Sequence, residues 1–572
     1  MLKSLEFGVF QRCKNLKTVK LPPNIESIGE RCFFEIEKLA SIDLPESLIS
    51  LGVYAFGYCG LTTINFSPNS KLQTIGRLCF KGNKNLTSIE IPDSVETIEY
   101  ESFAESVLAT IKFSPNSKLK TIGNDCFREN KNLKSIDLPD SVVTLSDGVF
   151  RNSGLTTINI SPNSKLETVE DYCFKSTNLS SIFIPKSVKT IIPNAFSDCQ
   201  YLVNITVDPE NTNYKSDSIS VYSGTDNSTL FKVFNSYSGE YNVPSFITKI
   251  FDYCFDYCVN ITYIQLHDDI TSIGSSAFYK CTSLTNFKIP ESVRYIGSGA
   301  FVNCISLTNF KIPESVQFIG SGAFANCISL TKITIPPKVR EIKLAIFNSC
   351  INLVNVIITG NVTIIESYAF HNCTSLSNII IPESVEYIRD YAFRYCTSLN
   401  NIIIPERVDT IDYYAFSNCK SLTKIIIPCK IYLIRERSFE NCTNLKSIKF
   451  LNNINSIIFG ENVFYGIENQ LNIYISGNFD ISSDSFSSKI PIGSHLYITY
   501  ETVLSESCKT FFGEKSVHVH FNDVFNISDE TTKEVIDYVG ISISFRKLSK
   551  EGRIYYQNKC FHLVSLIHSI IT

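Results

Sequence analysis

A phenylalanine returns along this chain at a nearly constant interval, and that period limits the fold more than any other property of the sequence. It falls at Phe10, Phe33, Phe56, Phe80, Phe103, Phe127, Phe150, Phe174 and Phe196, in steps of 22 to 24 residues. The series resumes at Phe255 and runs through Phe278, Phe301, Phe324, Phe347, Phe370, Phe393, Phe416 and Phe439 in steps of 23, with Phe464 and Phe486 as two decaying members. A unit this short cannot bury an apolar face by itself. It can do so only by stacking on copies of itself, so the period predicts a solenoid rather than a string of globular domains.

One unit, residues 283–305, reads SLTNFKIPESVRYIGSGAFVNCI. Leu284, Phe287 and Ile289 give the start of the unit the apolar pattern of a short strand. Pro290 ends that strand because proline cannot donate to a ladder. SVRYIG is a second short extended run, Gly297 is expected to permit a turn, and GAFVNC reads as a helical or 3₁₀ turn that points Phe301 and Cys304 inward. Stacked units would pair their strands in parallel at about 4.8 Å. SPNSKL recurs at 67–72, 114–119 and 161–166, so two coils were duplicated together there.

The string LTxIxIPxSVxxIGxxAFxxCxS resembles the BspA-like, or Treponema-type, leucine-rich repeat, and IPESV, YAFxxCTSL and ITxIGxxAF are most like its protist surface-antigen-like members. The resemblance covers residues 1–450 strongly and 451–490 weakly. It implies a leucine-rich-repeat solenoid, a horseshoe or arc of parallel strands with short 3₁₀ or helical turns and a repeat of about 23 residues. It also implies surface-antigen-like recognition of host-cell, matrix or bacterial-surface ligands.

The expected organisation is an N-terminal array at 1–204, a β-hairpin island at 205–250 that loops out and rejoins the spine at Val243–Ile250, and a second array at 251–450. Degenerate repeats follow at 451–490. From 491 to 572 the period is lost, and strands at 496–504, 516–525 and 540–548 with a helix at 528–539 are expected to cap the last coil. The chain starts in mid-repeat without a dedicated cap, which suggests a minimal cap or an upstream piece outside this sequence.

The chemistry-bearing residues are mostly absorbed by the repeat. Of 20 cysteines, 12 lie three residues after the repeat Phe and five just before it. A position locked to a core column marks them as buried, reduced thiols rather than ligands or disulfides. GSGAF at 297–301 and 320–324 lacks phosphate-loop spacing. His518 and His520 form an HxH on a strand, with no third metal ligand apparent. No nucleophile motif appears, so no enzyme, cofactor or metal is expected. Sequons at Asn85, Asn227, Asn361, Asn372 and Asn441 are partly by-products of the repeat. A net charge of −4 gives no reason to expect nucleic acid, which usually demands a basic face. No apolar run is long enough to span a membrane, and no signal peptide is visible in MLKSLEFGVFQRCKNL.

Side-chain alternation points to a binding face. The strand residues flanking the core residue should line the concave surface. One such column reads Asn286, Asn309, Lys332, Asn355, Asn378, Asn401 and Lys424, and the other reads Lys288, Lys311, Thr334, Ile357, Ile380, Ile403 and Ile426. Elsewhere the second column is polar, as at Asp43, Glu90, Asp137 and Gln265. Four stacked isoleucines would form an apolar stripe suited to a partner, or simply a β-branched stack that stiffens the sheet. Tyr368, Tyr391 and Tyr414, two residues before the repeat Phe, form a second ladder, readable as interface anchors or as edge packing. Coils 353–427 are therefore the expected site, for a protein or glycan-bearing ligand. Two settings stay open: adhesion at the cell surface, which the resemblance implies, and an intracellular scaffold, which the thiols and the missing targeting signals favour.

Overall fold

The computed structural model describes residues 2–451, 457–475, 478–479, 491, 494–498, 503–504, 518–521 and 544–545. It is a parallel β-solenoid with about 23 residues per turn. The chain divides into two compact units, Met1–Thr262 with Ser272–Thr282, and Tyr263–Thr271 with Ser283–Thr572.

Most coils carry the two strands expected from their sequence. In the unit that begins at Leu307 the first strand is Asn309–Lys311 and the second is Phe318–Ile319. Between them the Pro313 carbonyl accepts from the Val316 amide at 3.1 Å, which closes a tight turn. The second strands make long ladders. Nine run from Ser4–Leu5 to Thr190–Ile191 in the first unit, and six from Glu341–Ile342 to Ile458–Phe459 in the second.

The segment around the repeat Phe is not a helix in most coils. Among the described residues only Pro193–Phe196 is a 3₁₀ helix. Elsewhere successive amides take two roles. Gly299, Phe301 and Asn303 donate to the next coil, at Ser321, Ala323 and Ala325, over 2.7–3.0 Å. Ala300, Val302 and Cys304 instead close turns onto the carbonyl three residues back. The alternation needs a left-handed residue two before and two after the Phe, as at Gly299 (φ 62°) and Asn303 (φ 61°). The glycine expected to permit the turn was Gly297; the left-handed conformation falls at Gly299 instead. Asn fills the second position often because its short polar side chain tolerates that region.

The core is a set of one-residue-wide columns. The repeat phenylalanines stack nearly parallel, from 5.0 Å between Phe33 and Phe56 to 5.9 Å between Phe439 and Phe464. Phe464, read as decaying, is thus a full member, while Phe486 lies outside the described residues. The cysteine column is continuous from Cys258 to Cys442. Cys327, Cys350, Cys373 and Cys396 each donate Sγ–H at 3.1 Å to the carbonyl of the Phe one coil back. Among the described residues all 18 cysteines are free thiols, and burial pushes Cys350 and Cys442 up to about 12. Cys13 departs from its column: it is exposed, in the first coil.

Two segments differ from expectation. The 205–250 hairpin is present, with Tyr214–Ser216, Ser220–Ser223 and Thr229–Val233 antiparallel, but it does not loop out. Thr229–Leu230 pairs in parallel with Lys249–Ile250, so the hairpin's last strand takes a place in the second-strand ladder. Val221, Phe231 and Phe234 join the core, and buried Lys232 pairs with buried Asp256. The hairpin side chains are apolar enough to continue the core, which an excluded loop could not do. Beyond 491, where the sequence period reads as lost, the described strands still pair in register. Asn472 registers with His495 and His495 with His518, 23 residues apart each time, and His520 then registers with Ser544. The strands are legible there in the sequence, but the repeat is not, because the Phe and Cys columns that mark it have ended. The helix expected at 528–539 lies outside the described residues.

Candidate functional site

The isoleucine column sits where alternation predicted. Asn355–Ile358 is a first strand in which Val356 is buried while Asn355 and Ile357 face out. Ile357, Ile380 and Ile403 are 50%, 77% and 61% exposed, whereas Ile426 is half-buried. Asn355, Asn378, Asn401 and Lys424 stand beside them, all exposed. The strand ladder narrows here, to Asn378–Ile379 in one coil and a single Asn401–Lys424 bridge in the next. Val354 is also 45% exposed; sequence alternation missed it because it precedes the strand proper.

The tyrosine ladder is also real, and it is held differently. Tyr368 stacks on Tyr391 at 4.7 Å and Tyr391 on Tyr414 at 4.9 Å, within 8° of parallel. All three occupy the left-handed position, at φ 59°, 59° and 55°. Only Tyr368 is exposed, while Tyr391 and Tyr414 are half-buried. Arg394 accounts for part of this. Its guanidinium lies 5.3 Å, 4.8 Å and 4.9 Å from the rings of Tyr391, Tyr395 and Tyr414. Arg437 lies 5.7 Å from Tyr414. His371 touches Tyr368 and Tyr395 edge-on, and burial followed by the Arg394 charge lowers its pKa. The sequence signal that could have found this cluster is an Arg one residue after the repeat Phe in coils where Tyr precedes it by two.

The same left-handed position in the first unit carries Glu101 and Asp125, inside an ionic network. Lys81 pairs with Glu101, Arg128 with Glu105 at 2.7 Å, and Arg151 with Asp125 at 2.9 Å. Burial pushes Glu101 up, but the Lys81 and Tyr100 hydrogen bonds and the Lys81 and Arg128 charges outweigh it and leave its carboxyl below the usual range.

An open hollow of about 540 Å³ is lined by Arg340, Asn361, Thr363, Glu383, Ser384 and Arg407, a set without histidine or cysteine. His518 lies on the strand His518–Phe521, opposite His495 in register. Among the described residues no three His, Cys, Asp or Glu side chains are grouped to hold a metal ion. Among the described residues no helix is long and apolar enough to cross a membrane.

The family comparison agrees with the architecture. The profile described as "BspA type Leucine rich repeat region (6 copies)" matches residues 3–129, 113–225, 248–376 and 363–492. A search of the curated proteins returned no match. Among solved structures, a leucine rich cell surface protein from Faecalibacterium prausnitzii is similar at 27% identity and TM-score 0.48, over 59% of this chain and 83% of that one. A leucine-rich repeat protein from Bacteroides ovatus is similar at 24% identity and TM-score 0.36, over 72% and 86%. A leucine-rich repeat protein from T. pallidum is similar at 22% and TM-score 0.27, over 36% and 90%. With four matched stretches that together span most of its length, the chain belongs to the BspA-type leucine-rich-repeat family.

Proposed function

We propose that this chain is a non-catalytic recognition protein of the surface-antigen type, which binds a host-cell, matrix or bacterial-surface ligand through the first-strand face of coils 353–427. One observation carries the reading: Ile357, Ile380 and Ile403 stack in adjacent coils and remain half to three-quarters exposed. A contiguous apolar strip on an otherwise polar face is the ordinary mark of a surface that a partner covers. The tyrosine–arginine ladder supplies a second anchor of a composition favoured at interface centres. The test replaces Ile357, Ile380, Ile403 and Ile426 together with Ser. Capture of the surface ligand should fall at least about tenfold while the melting curve holds. Undiminished binding by a folded variant would remove this face from consideration.

An intracellular scaffold using the same face is the second reading, and the column of buried thiols from Cys258 to Cys442 favours it, since such a column persists most readily in a reducing compartment. Antibody labelling of intact and permeabilised cells separates the two. Signal on intact cells supports adhesion; signal only after permeabilisation supports the scaffold.

A further inference from the structure

The lysines around the isoleucine stripe follow a pattern that bulk composition does not predict. The chain holds 56 acidic and 52 basic residues. Yet from coil 285 to coil 449 the two outward positions of the first strand and the residue before it hold Lys288, Lys311, Lys332, Lys424, Lys446 and Lys449, and no Asp or Glu. All six are exposed. Three precede the isoleucines and three follow them, and none lies within the coils of Ile357, Ile380 and Ile403.

Elsewhere the repeat readily supplies a counter-ion one coil away. Lys3 meets Glu26 at 2.7 Å, Lys120 meets Glu96 at 2.7 Å, and Lys189 meets Glu167 at 2.8 Å. On this face only Lys311 has a carboxylate in reach among the described residues, Glu291 at 3.9 Å. The face is thus apolar in its middle and cationic at both ends. Lys332 and Lys424 lie four coils apart, about 19 Å at the spacing of a parallel ladder. An extended peptide crosses that distance in about six residues.

We infer that the stripe receives an acidic, amphipathic segment of a partner protein, with apolar side chains over Ile357, Ile380 and Ile403 and carboxylates over the lysines at either end. This rests on the reading of the face as a binding site and names the chemistry of its occupant. Charge placed at the ends fixes register and accelerates encounter, while the apolar middle supplies affinity. A face of one sign also repels cationic competitors.

The probe is a fluorescent synthetic peptide with a Leu/Val centre of that length between Glu-rich ends, titrated onto the full chain. A Lys-ended counterpart and vesicles of phosphatidylcholine with and without phosphatidylserine serve as comparisons. The expected result is binding of the Glu-ended peptide that weakens with salt, at least about tenfold weaker binding by the Lys-ended one, and no discrimination between vesicles. Lys332→Glu with Lys424→Glu and Lys449→Glu should weaken the Glu-ended peptide at least about tenfold, and the matching Gln substitutions less. Loss of binding in the isoleucine variant with none in the lysine variants overturns the charge inference and leaves the face standing. Loss in the lysine variants with none in the isoleucine variant overturns the apolar reading of the face. Absence of peptide binding, or preference for phosphatidylserine vesicles over the peptide, overturns the proposal.

Discussion

The outward strand positions of coils 41–183 and of coils 286–449 are built on one backbone plan and have opposite surfaces. In the first set the column nearest the strand start reads Ser41, Thr63, Ser88, Thr110, Ser135, Thr157 and Ser181. The next column satisfies itself across coils: Asn65 donates to Asp43 at 2.7 Å and Asn159 to Asp137 at 2.6 Å. Glu90 stands opposite Lys112 in register. In the second set the matching column gives Ile357, Ile380 and Ile403 to solvent. The turn edges diverge likewise, into an ionic network around Glu101 and Arg128 in one case and a tyrosine ladder threaded by Arg394 in the other. A polar face closed by its own hydrogen bonds gains little from a partner, whereas an open apolar one gains the burial. Recognition is therefore expected where the repeat stops satisfying itself.

The largest effect should show what the two regions share. Phe80→Ala and Phe370→Ala each remove a fully buried ring from the same kind of stack, and each should cost about 3–5 kcal/mol by denaturant unfolding. A marked inequality would mean that the cores, and not only the faces, differ. Next in size is Arg394→Gln, which strips the cation from three rings and should cost about 1–2 kcal/mol in the second region. A negligible change would leave ring stacking as the sole support of the ladder. Left-handed positions allow a finer contrast. Ala345 (φ 53°) has only strain to lose, so Ala345→Gly should raise stability by about 1 kcal/mol. Glu101→Gly relieves the same strain but discards contacts to Lys81 and Arg128, and should lower stability instead. Equal signs in the two melting shifts would contradict the ionic account of the first region.

Acid titration supplies the smallest and most specific contrast. The Glu101 carboxyl is held below its ordinary value, so its stabilisation is present above the unfolded pKa and is lost as pH falls through the folded one. Asp412 is raised, first by burial and then by Asp390, against the pull of Arg435 and Arg389. Its charge is thus a cost above the unfolded carboxylate range, relieved on acidification. Glu101→Gln should destabilise at neutral pH and Asp412→Asn should stabilise, with both differences fading towards low pH. Parallel melting curves across that range for wild type and either variant would refute the corresponding assignment.

The sequence by itself determined the period, and with it the solenoid, because a 23-residue unit has no other way to bury its apolar columns. It also determined which residues point in or out, since alternation within a strand is local; the exposure of Ile357, Ile380 and Ile403 and the burial of the thiols three residues after the repeat Phe, from Cys258 to Cys442, were legible there. Tertiary structure alone decided what meets across coils. Arg394 reaches Tyr391, Tyr395 and Tyr414 in two different coils, and nothing in one unit specifies that. The hairpin strand Thr229–Val233 enters the ladder by pairing with Lys249–Ile250, a choice set by core apolarity on both sides rather than by its own turn signals. The ladder likewise runs past residue 491 through backbone register, which survives after the side-chain columns that announce it have ended.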